Sequence, residues 1–140
     1  MTDEYLIPDA SYQRLLKEYR EHGSIVVAFD FDNTVYDFHN KGVSYDQVIQ
    51  LLRELRRYKC YLICFTANTN STFVEDFLLD KSIPFDAINE NPPFFKCDAR
   101  KIYFNALLDD RAGLLQVYTE LNQLITTLNN SNETQPASIS

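Results

Sequence analysis

Four carboxylates and one hydroxyl group follow apolar runs of the sequence, at the points where those runs end. They are Asp30, Asp32, Thr66, Asp109 and Asp110. Carboxylates that gather in a partly dehydrated site repel one another, and a bound hard cation such as Mg²⁺ relieves that repulsion. A cation held in this way binds phosphate groups or activates water. These residues therefore predict a metal-dependent reaction site, provided that the ends of the runs lie together.

The apolar runs themselves predict short strands that are buried on both faces, as in a parallel sheet. The runs cover residues 24–29, 61–65, 83–88 and 104–108. Apolar side chains at helical spacing predict four helices around these strands. The first helix covers residues 9–21 and the last covers residues 114–128. The second follows the sequence Ser44-x-x-Gln47, which resembles a capping box, and has the apolar stripe Val48, Leu51, Leu52 and Leu55. The third is opened by Asn70, Ser71 and Thr72.

Strands that alternate with helices make βαβ units, and right-handed crossovers then give a parallel sheet sandwiched by helices. The predicted fold is therefore α/β, a three-layer sandwich around a parallel sheet. Sites in such sheets lie beyond the carboxyl ends of the strands. The acidic residues are thus predicted to meet at one edge of the sheet.

The composition is that of one globular domain. The chain has 140 residues, 45% of them hydrophobic, and a formal net charge of −7. We expect a single domain over residues 1–128 and a disordered tail over residues 129–140, which are polar and lack periodicity. The surplus of acid argues against an extended nucleic-acid surface, although a single phosphorylated end could still reach a metal site.

The sequence also limits where the protein is expected to work. No basic segment followed by an apolar run opens the chain, so no signal peptide is expected. No run approaches the roughly 20 apolar residues that a membrane helix needs. Cys60, Cys64 and Cys97 form no CxxC pair, and reduced thiols are the simplest interpretation. We therefore expect a cytoplasmic protein that has no membrane partner.

Taken in order, the motifs resemble those of the haloacid-dehalogenase-like hydrolase superfamily, most of whose members are Mg²⁺-dependent phosphatases. The segment VVAFDFDNTV is similar to the first motif of that family, YLICFTAN to the second and NALLDDRA to the fourth. The third motif is a lysine ahead of the last strand, which Lys101 fits, with Lys96 as its rival. The resemblance covers residues 24–128. Asn33 stands where many members carry Gly, and Asn is tolerated in such turns.

The resemblance implies a phosphomonoester hydrolase that acts through an aspartyl-phosphate. Asp30 would be the nucleophile, and Asp32 would be the general acid and base. Mg²⁺ would be bound by Asp30, by the backbone carbonyl of Asp32 and by Asp109. Asp110 would be a further ligand or an acceptor for metal-bound water.

The resemblance also implies how the phosphoryl group is held. The Thr66 hydroxyl and the backbone N–H groups of Ala67 and Asn68 would bind a phosphoryl oxygen. Lys101 would neutralise the charge of the nucleophile and of the phosphoryl group. Positioning and charge stabilisation supply most of the catalysis in such reactions.

Neither interval between the motifs, 32–66 or 66–101, is long enough for a separate cap domain, so we expect an open site without a cap. The segment after the first motif carries Tyr36, Phe38 and His39. For the two larger rings, contact with substrate and packing over the site are both open, and His39 is assigned no role. The substrate, a phosphorylated small molecule or the end of a macromolecule, stays open, as does association into a homo-oligomer.

A second hypothesis is a non-catalytic phosphoryl- or protein-binding module on the same scaffold. The complete set of motif residues argues against it. A response-regulator receiver is disfavoured because Asn89, and not Asp, follows the third apolar run. A dehalogenase is disfavoured because Asp32 is the acid and base that phosphatases need.

Overall fold

The computed structural model describes residues 3–96 and 99–131 of the chain. In this part, helices and strands alternate from α1 to β3, and β4 then follows β3 with no helix between them in the described residues. Their bounds are Ala10–His22 (α1), Val26–Phe29 (β1), Asp46–Arg57 (α2), Tyr61–Cys64 (β2), Ser71–Asp80 (α3), Ala87–Ile88 (β3), Ala106–Leu108 (β4) and Leu114–Asn130 (α4). A short 3₁₀ helix, Glu4–Leu6, precedes α1.

The four strands form one parallel sheet with the order β3-β2-β1-β4. Phe29, the last residue of β1, is in register with Cys64 of β2 and with Leu108 of β4. The ends of these three strands therefore lie side by side. The predicted α/β fold with a parallel sheet is confirmed, and with it the expectation that residues after β1, β2 and β4 share one edge.

The strand order reverses at β1. The chain adds β2 and β3 on one side of β1 and then returns to add β4 on the other side. Parallel sheets leave a crevice at the carboxyl end of such a reversal, because the connections on the two sides lead away from each other. The residues that follow β1 and β4 line this crevice.

A large core lies on one face of the sheet. Val27 and Phe29 of β1 pack there with Leu62 and Cys64 of β2. All four helices contribute to this core, and their fully buried large side chains include Tyr19, Leu52, Leu55, Leu78, Leu121, Leu124 and Leu128. The apolar stripes predicted for the helices are therefore the surfaces that cover this face.

The opposite face is covered by a connecting segment. A smaller cluster lies there, formed by Val26, Ala28 and Ile63 with the partly buried Tyr61, Ile102, Tyr103, Phe104 and Leu107. A right-handed connection from β3 back past β1 must cross this face. The described part of that connection contains no helix, and Pro92 and Pro93 disfavour one. The third layer of the fold is thus this connection.

The beginnings of two helices test the capping predictions. The predicted box of Ser44 and Gln47 is wrong, because the Ser44 hydroxyl accepts the N–H of Asp46 at 3.2 Å and the helix begins at that residue. A Ser hydroxyl that binds the backbone two residues on makes a local turn instead of a capping box. Asn70 does cap α3, since its side-chain oxygen accepts the N–H of Phe73 at 3.1 Å.

The third strand is shorter than the apolar run predicts. The run covers residues 83–88, but β3 contains Ala87–Ile88 alone. Asp86 donates its N–H to the carbonyl of Leu62 at 2.7 Å, and its carboxylate accepts the N–H of Leu62 at 2.8 Å. The same carboxylate pairs with Arg56 at 3.0 Å. The Asp86 carboxylate thus accepts the N–H of Leu62, which a strand carbonyl would otherwise accept. Regular pairing of β3 with β2 therefore begins one residue later, at Ala87.

The C-terminal region departs slightly from its prediction. The tail was predicted from Asn129, but α4 runs to Asn130. Ser131 caps this helix, and residues 132–140 of the predicted tail lie outside the described residues. Within the described ranges, no helix is long and apolar enough to cross a membrane.

Replacement of Asp86 by Ala is expected to destabilise the protein by about 1–3 kcal/mol, because the N–H of Leu62 and the guanidinium of Arg56 both lose their partner. Urea unfolding followed by circular dichroism measures this change. The matched control is Asp76→Ala on the exposed face of α3, which should change the free energy of unfolding by less than about 0.5 kcal/mol. Equal stability of the two variants would contradict the role given to Asp86.

Candidate active site

The direction of the first acidic segment is set by Phe31. This ring is fully buried, stacks on Tyr36 at a centroid distance of 4.9 Å and meets Phe73 and Phe77 of α3 edge-on. Phe29 and Phe31 both belong to the large core, and alternation along an extended chain then turns Asp30 away from that core. The N–H of Asp30 also donates to the carbonyl of Leu108 at 2.8 Å, which ties it to the end of β4.

The residues after Asp30 form a tight turn. The carbonyl of Phe31 accepts the N–H groups of Val35 and Tyr36 at 3.1 and 3.0 Å, and Asn33 donates to the carbonyl of Tyr36 at 2.8 Å. Asn33 has a φ of 59°, in the left-handed region that Gly and Asn tolerate best. The Asn that departs from the family pattern therefore fits the conformation that the turn requires.

Thr34 joins this turn to the end of β4. Its side chain is fully buried, and its hydroxyl oxygen accepts the N–H of Asp110 at 3.3 Å. No role was predicted for this residue, although it completes the first motif. The hydrogen bond connects residues 76 positions apart in the chain and holds the two acidic segments against each other.

Three of the predicted acids converge. Asp30, Asp109 and Asp110 each offer a carboxylate oxygen, and these oxygens lie within 4.8 Å of one another. Asp109 is further oriented by the N–H of Arg111, which donates to its carboxylate at 2.9 Å. Such a set of oxygen ligands is the kind that Mg²⁺ and Ca²⁺ bind.

The convergence perturbs Asp30. Burial first, and then a hydrogen bond with the Asp110 carboxyl and the charges of Asp109 and Asp110, raise the pKa of Asp30 to about 7. The N–H of Phe31 opposes this shift but does not cancel it. Without a cation, the charged form of Asp30 is therefore disfavoured, and a bound metal ion would stabilise it.

The side chain of Asp32 lies outside the group of three converging carboxylates. Its Oδ1 is buried and has no hydrogen-bond partner among the described residues. Burial, followed by the charge of Asp110, raises the pKa of Asp32, and the charge of His39 lowers it. A buried polar atom without a partner is costly, so this oxygen is available for a ligand or a proton.

Thr66 is held at the end of β2 by Asn89, a residue without a predicted functional role. The side chain of Asn89 accepts the N–H of Thr66 and donates to its carbonyl, both at 2.8 Å. The N–H of Asn89 donates to Cys64 at 2.9 Å. The signal that could have revealed Asn89 was its position directly after the third apolar run.

The predicted phosphoryl-binding groups of this segment differ in availability. The N–H of Asn68 already donates to the Thr66 hydroxyl oxygen at 3.0 Å, which leaves the hydroxyl hydrogen of Thr66 free to donate. The N–H of Ala67 has no hydrogen-bond partner among the described residues, and Ala67 is exposed. The donors that the described hydrogen bonds leave unused are therefore the hydroxyl of the buried Thr66 and the N–H of Ala67.

The two candidate lysines are not brought against the acids. Lys96 and Lys101 are both exposed, and neither ammonium group has an ion-pair partner in the described residues. The carbonyl of Lys101 accepts a hydrogen bond from Asn91 at 3.2 Å. The assignment of the third motif to Lys101 or to Lys96 stays a prediction.

The segment after the turn carries one packed aromatic ring and one exposed ring. Tyr36 is packed among Phe31, Phe73 and Phe77, so it is a structural residue. Phe38 is 55% exposed. Burial and then the charges of Asp37 and Asp110 raise the pKa of Tyr45, which ends this segment.

Comparison with known proteins adds evidence on the fold. No family model and no curated protein matches the chain. A solved structure of a conserved protein from Bacteroides thetaiotaomicron is similar, with a TM-score of 0.58 and 20% sequence identity. The match covers 71% of this chain and 91% of that one. At this level of identity the similarity shows the α/β fold and nothing about activity.

The shifted pKa of Asp30 predicts how stability depends on pH in EDTA. Its ordinary value is 3.8, so between pH 4 and 7 the folded chain binds a proton that the unfolded chain releases. The free energy of unfolding should therefore increase as the pH falls from 8 to 5. We expect about 1–2 kcal/mol, less than the full shift implies, because Asp30 is half-exposed.

Urea unfolding at several pH values measures this dependence. Asp30→Asn should be more stable than the wild type at pH 8 and should lose this part of the pH dependence. Asp76→Asn, an exposed substitution, is the control and should keep the wild-type profile. An unchanged profile in Asp30→Asn would exclude Asp30 as the titrating group.

Proposed function

We propose that the chain is a Mg²⁺-dependent phosphomonoester hydrolase of the haloacid-dehalogenase-like type, acting through an aspartyl-phosphate on Asp30. The observation that carries this proposal is the convergence of Asp30, Asp109 and Asp110, with carboxylate oxygens within 4.8 Å, at the crevice between β1 and β4. These three acids come from two segments that are far apart in the sequence, the ones that follow β1 and β4.

The donor set fits a hard divalent cation. Asp30, Asp109 and Asp110 supply oxygen ligands, and no described cation neutralises them. Mg²⁺ bound by these residues would supply the positive charge that keeps the carboxylates ionised and offsets the charge of a phosphoryl group. The raised pKa of Asp30 supports this assignment, since burial first, and then the neighbouring carboxyls, disfavour the charged form that such a cation would stabilise.

Asp30 and Asp32 would have different roles in the reaction. An oxygen of Asp30 attacks phosphorus and the ester P–O bond breaks, while Asp32 gives its proton to the leaving oxygen. Asp32 then takes a proton from the water that attacks phosphorus, the bond to Asp30 breaks, and inorganic phosphate leaves. The raised pKa and unpartnered Oδ1 of Asp32 support its role as a proton donor.

Thr66 and Ala67 would bind the phosphoryl group, since their hydroxyl and N–H donors are not used in the described hydrogen bonds. Asn89 would hold this segment in place through its two hydrogen bonds to Thr66. Lys101 would approach only with its exposed side chain rearranged toward the acids. The site would then combine donors for the phosphoryl oxygens with acids for the two bonds that change.

The proposed activity would take place in the cytoplasm. Cys60 and Cys64 are free and buried, which suits a reducing cytoplasm. The net charge of −7 disfavours an extended nucleic-acid surface. The substrate is a phosphorylated small molecule or the phosphorylated end of a macromolecule, and a second copy of the chain could serve as the lid that a capless site lacks.

One observation favours the alternative, a non-catalytic phosphoryl- or protein-binding module. Neither Lys96 nor Lys101 has an ion pair with the acids in the described residues. A site without that cation could bind a phosphoryl group through Mg²⁺ and Thr66 without reaching the transition state efficiently. Turnover separates the two hypotheses.

Hydrolysis of p-nitrophenyl phosphate, measured by nitrophenolate release, tests the enzyme hypothesis. We expect turnover with Mg²⁺ and none in EDTA. Asp30→Asn should lose at least about 1,000-fold in kcat, because no other group replaces the nucleophile. Asp76→Asn is the matched control and should retain wild-type activity. A folded wild type that binds Mg²⁺ but turns over no phosphomonoester would leave the binding module as the better hypothesis.

The acid role of Asp32 makes a separate prediction. Asp32→Asn should lose about 100- to 10,000-fold in kcat for alkyl phosphates, whose leaving oxygen needs a proton. The loss should be smaller for p-nitrophenyl phosphate, whose leaving group is stable as an anion. Steady-state kinetics on a series of leaving groups measures this difference. An equal loss along the series would show that Asp32 does not donate the proton.

A further inference from the structure

We propose that Phe38 and His39 form a platform for an aromatic leaving group, so that the site prefers phosphate monoesters with a ring next to the ester oxygen. The inference rests on the proposed function, because it assigns the leaving group to the side of Asp32. It goes further in naming a substrate class and the residues that select it.

The platform is held close to Asp32 by the backbone. Asp32 forms an isolated bridge with Tyr36, and Phe38 donates its N–H to the carbonyl of Tyr36 at 2.9 Å. Phe38 is therefore linked to Asp32 by two short backbone contacts. His39 follows directly and its ring contacts that of Phe38. The backbone thus carries both rings on the segment that follows Asp32, the residue proposed to protonate the leaving group.

The segment keeps its shape without help from the two rings. The carboxylate of Asp37 accepts the N–H groups of Lys41, Gly42 and Val43 at 3.1, 2.7 and 3.2 Å. Asn40 donates to the carbonyl of Asp37 at 3.1 Å. These bonds fix the loop through its own backbone, so the side chains at positions 38 and 39 are free to serve another purpose.

The exposure of the rings marks them for contact with a ligand. Phe38 is 55% exposed, whereas Tyr36, two residues earlier, is packed in the aromatic cluster. Phe38 and His39 meet edge-on, with centroids 5.1 Å apart and planes at 84°. This arrangement presents a ring face that a flat aromatic group can stack on.

The space beside Phe38 is large enough for a ring. Phe38 lines a cavity of about 440 Å³ together with Tyr36, Val43, Tyr45 and Phe77. This volume lies within the range of ordinary small-molecule sites. Its lining combines these rings with polar side chains, which include Asp37, Asp46 and Lys81. The position and exposure of Phe38 thus favour an aromatic leaving group, and the cavity provides room for it.

Benzyl phosphate and cyclohexylmethyl phosphate test this preference. Both release a primary alcohol of similar basicity and size, so the ratio of their kcat/KM values reports on the aromatic ring. We expect the wild type to prefer benzyl phosphate by about 3- to 10-fold, the gain typical of one aromatic contact. Phe38→Leu should bring the ratio close to one, mainly through KM, and Phe38→Tyr should retain the preference.

Phe94→Leu is the matched control, because Phe94 is 69% exposed but packs on Tyr61 at the start of β2, away from the acids. It should keep the wild-type ratio. Circular dichroism verifies that each variant is folded. A wild-type ratio of one, or an unchanged ratio in Phe38→Leu, would overturn the platform.

Binding of the non-hydrolysable phosphonates separates this inference from the proposed function. Isothermal titration calorimetry with Mg²⁺ compares benzylphosphonate with cyclohexylmethylphosphonate. If the wild type turns over neither ester but binds benzylphosphonate more tightly, and Phe38→Leu abolishes the difference, the platform stands and the hydrolase proposal fails. If turnover is present and neither affinity nor kcat/KM distinguishes the two rings, the platform fails and the hydrolase proposal stands.

Discussion

The ring of Phe31 is fully buried between Tyr36 and α3, and the geometry of the acidic crevice depends on that burial. Because Phe31 is held in the core, the residues on either side of it must face outward at the end of β1. The same ring supports the turn that returns the chain over the crevice. Packing energy from one aromatic cluster therefore orients Asp30 and Asp32, which the cluster itself does not contain.

The crevice is stable in spite of its charge because backbone N–H groups donate to two of its carboxylates and a buried hydroxyl holds the third acidic residue in place. Phe31 donates to Asp30, Arg111 donates to Asp109, and the buried Thr34 hydroxyl anchors the backbone of Asp110. These contacts reduce the repulsion among the carboxylates but leave the pKa of Asp30 near 7. A strained electrostatic site on a rigid sheet edge is typical of positions that bind a charged ligand.

The parts of the fold that the sequence predicts well are those decided by local pattern. Continuous apolar runs identified β1 and β2, and Asn70 identified the beginning of α3. The parts that it predicts poorly depend on competing side-chain contacts. The third strand loses residues because Asp86 bonds to the backbone of β2, and Ser44 binds a nearer N–H than a capping box requires. Neither competition is visible in apolar periodicity.

Apolar patterning identifies which acids end which strands, because strands that are buried on both faces appear as unbroken apolar runs and parallel strands end at one edge. The partners that complete the site are set by the tertiary structure. The bonds from Asn89 to Thr66 and from Asp110 to Thr34 join residues 23 and 76 positions apart. The tertiary structure also decides that Tyr36 is packed while Phe38 is exposed, since neighbouring aromatics look alike until α3 covers one of them.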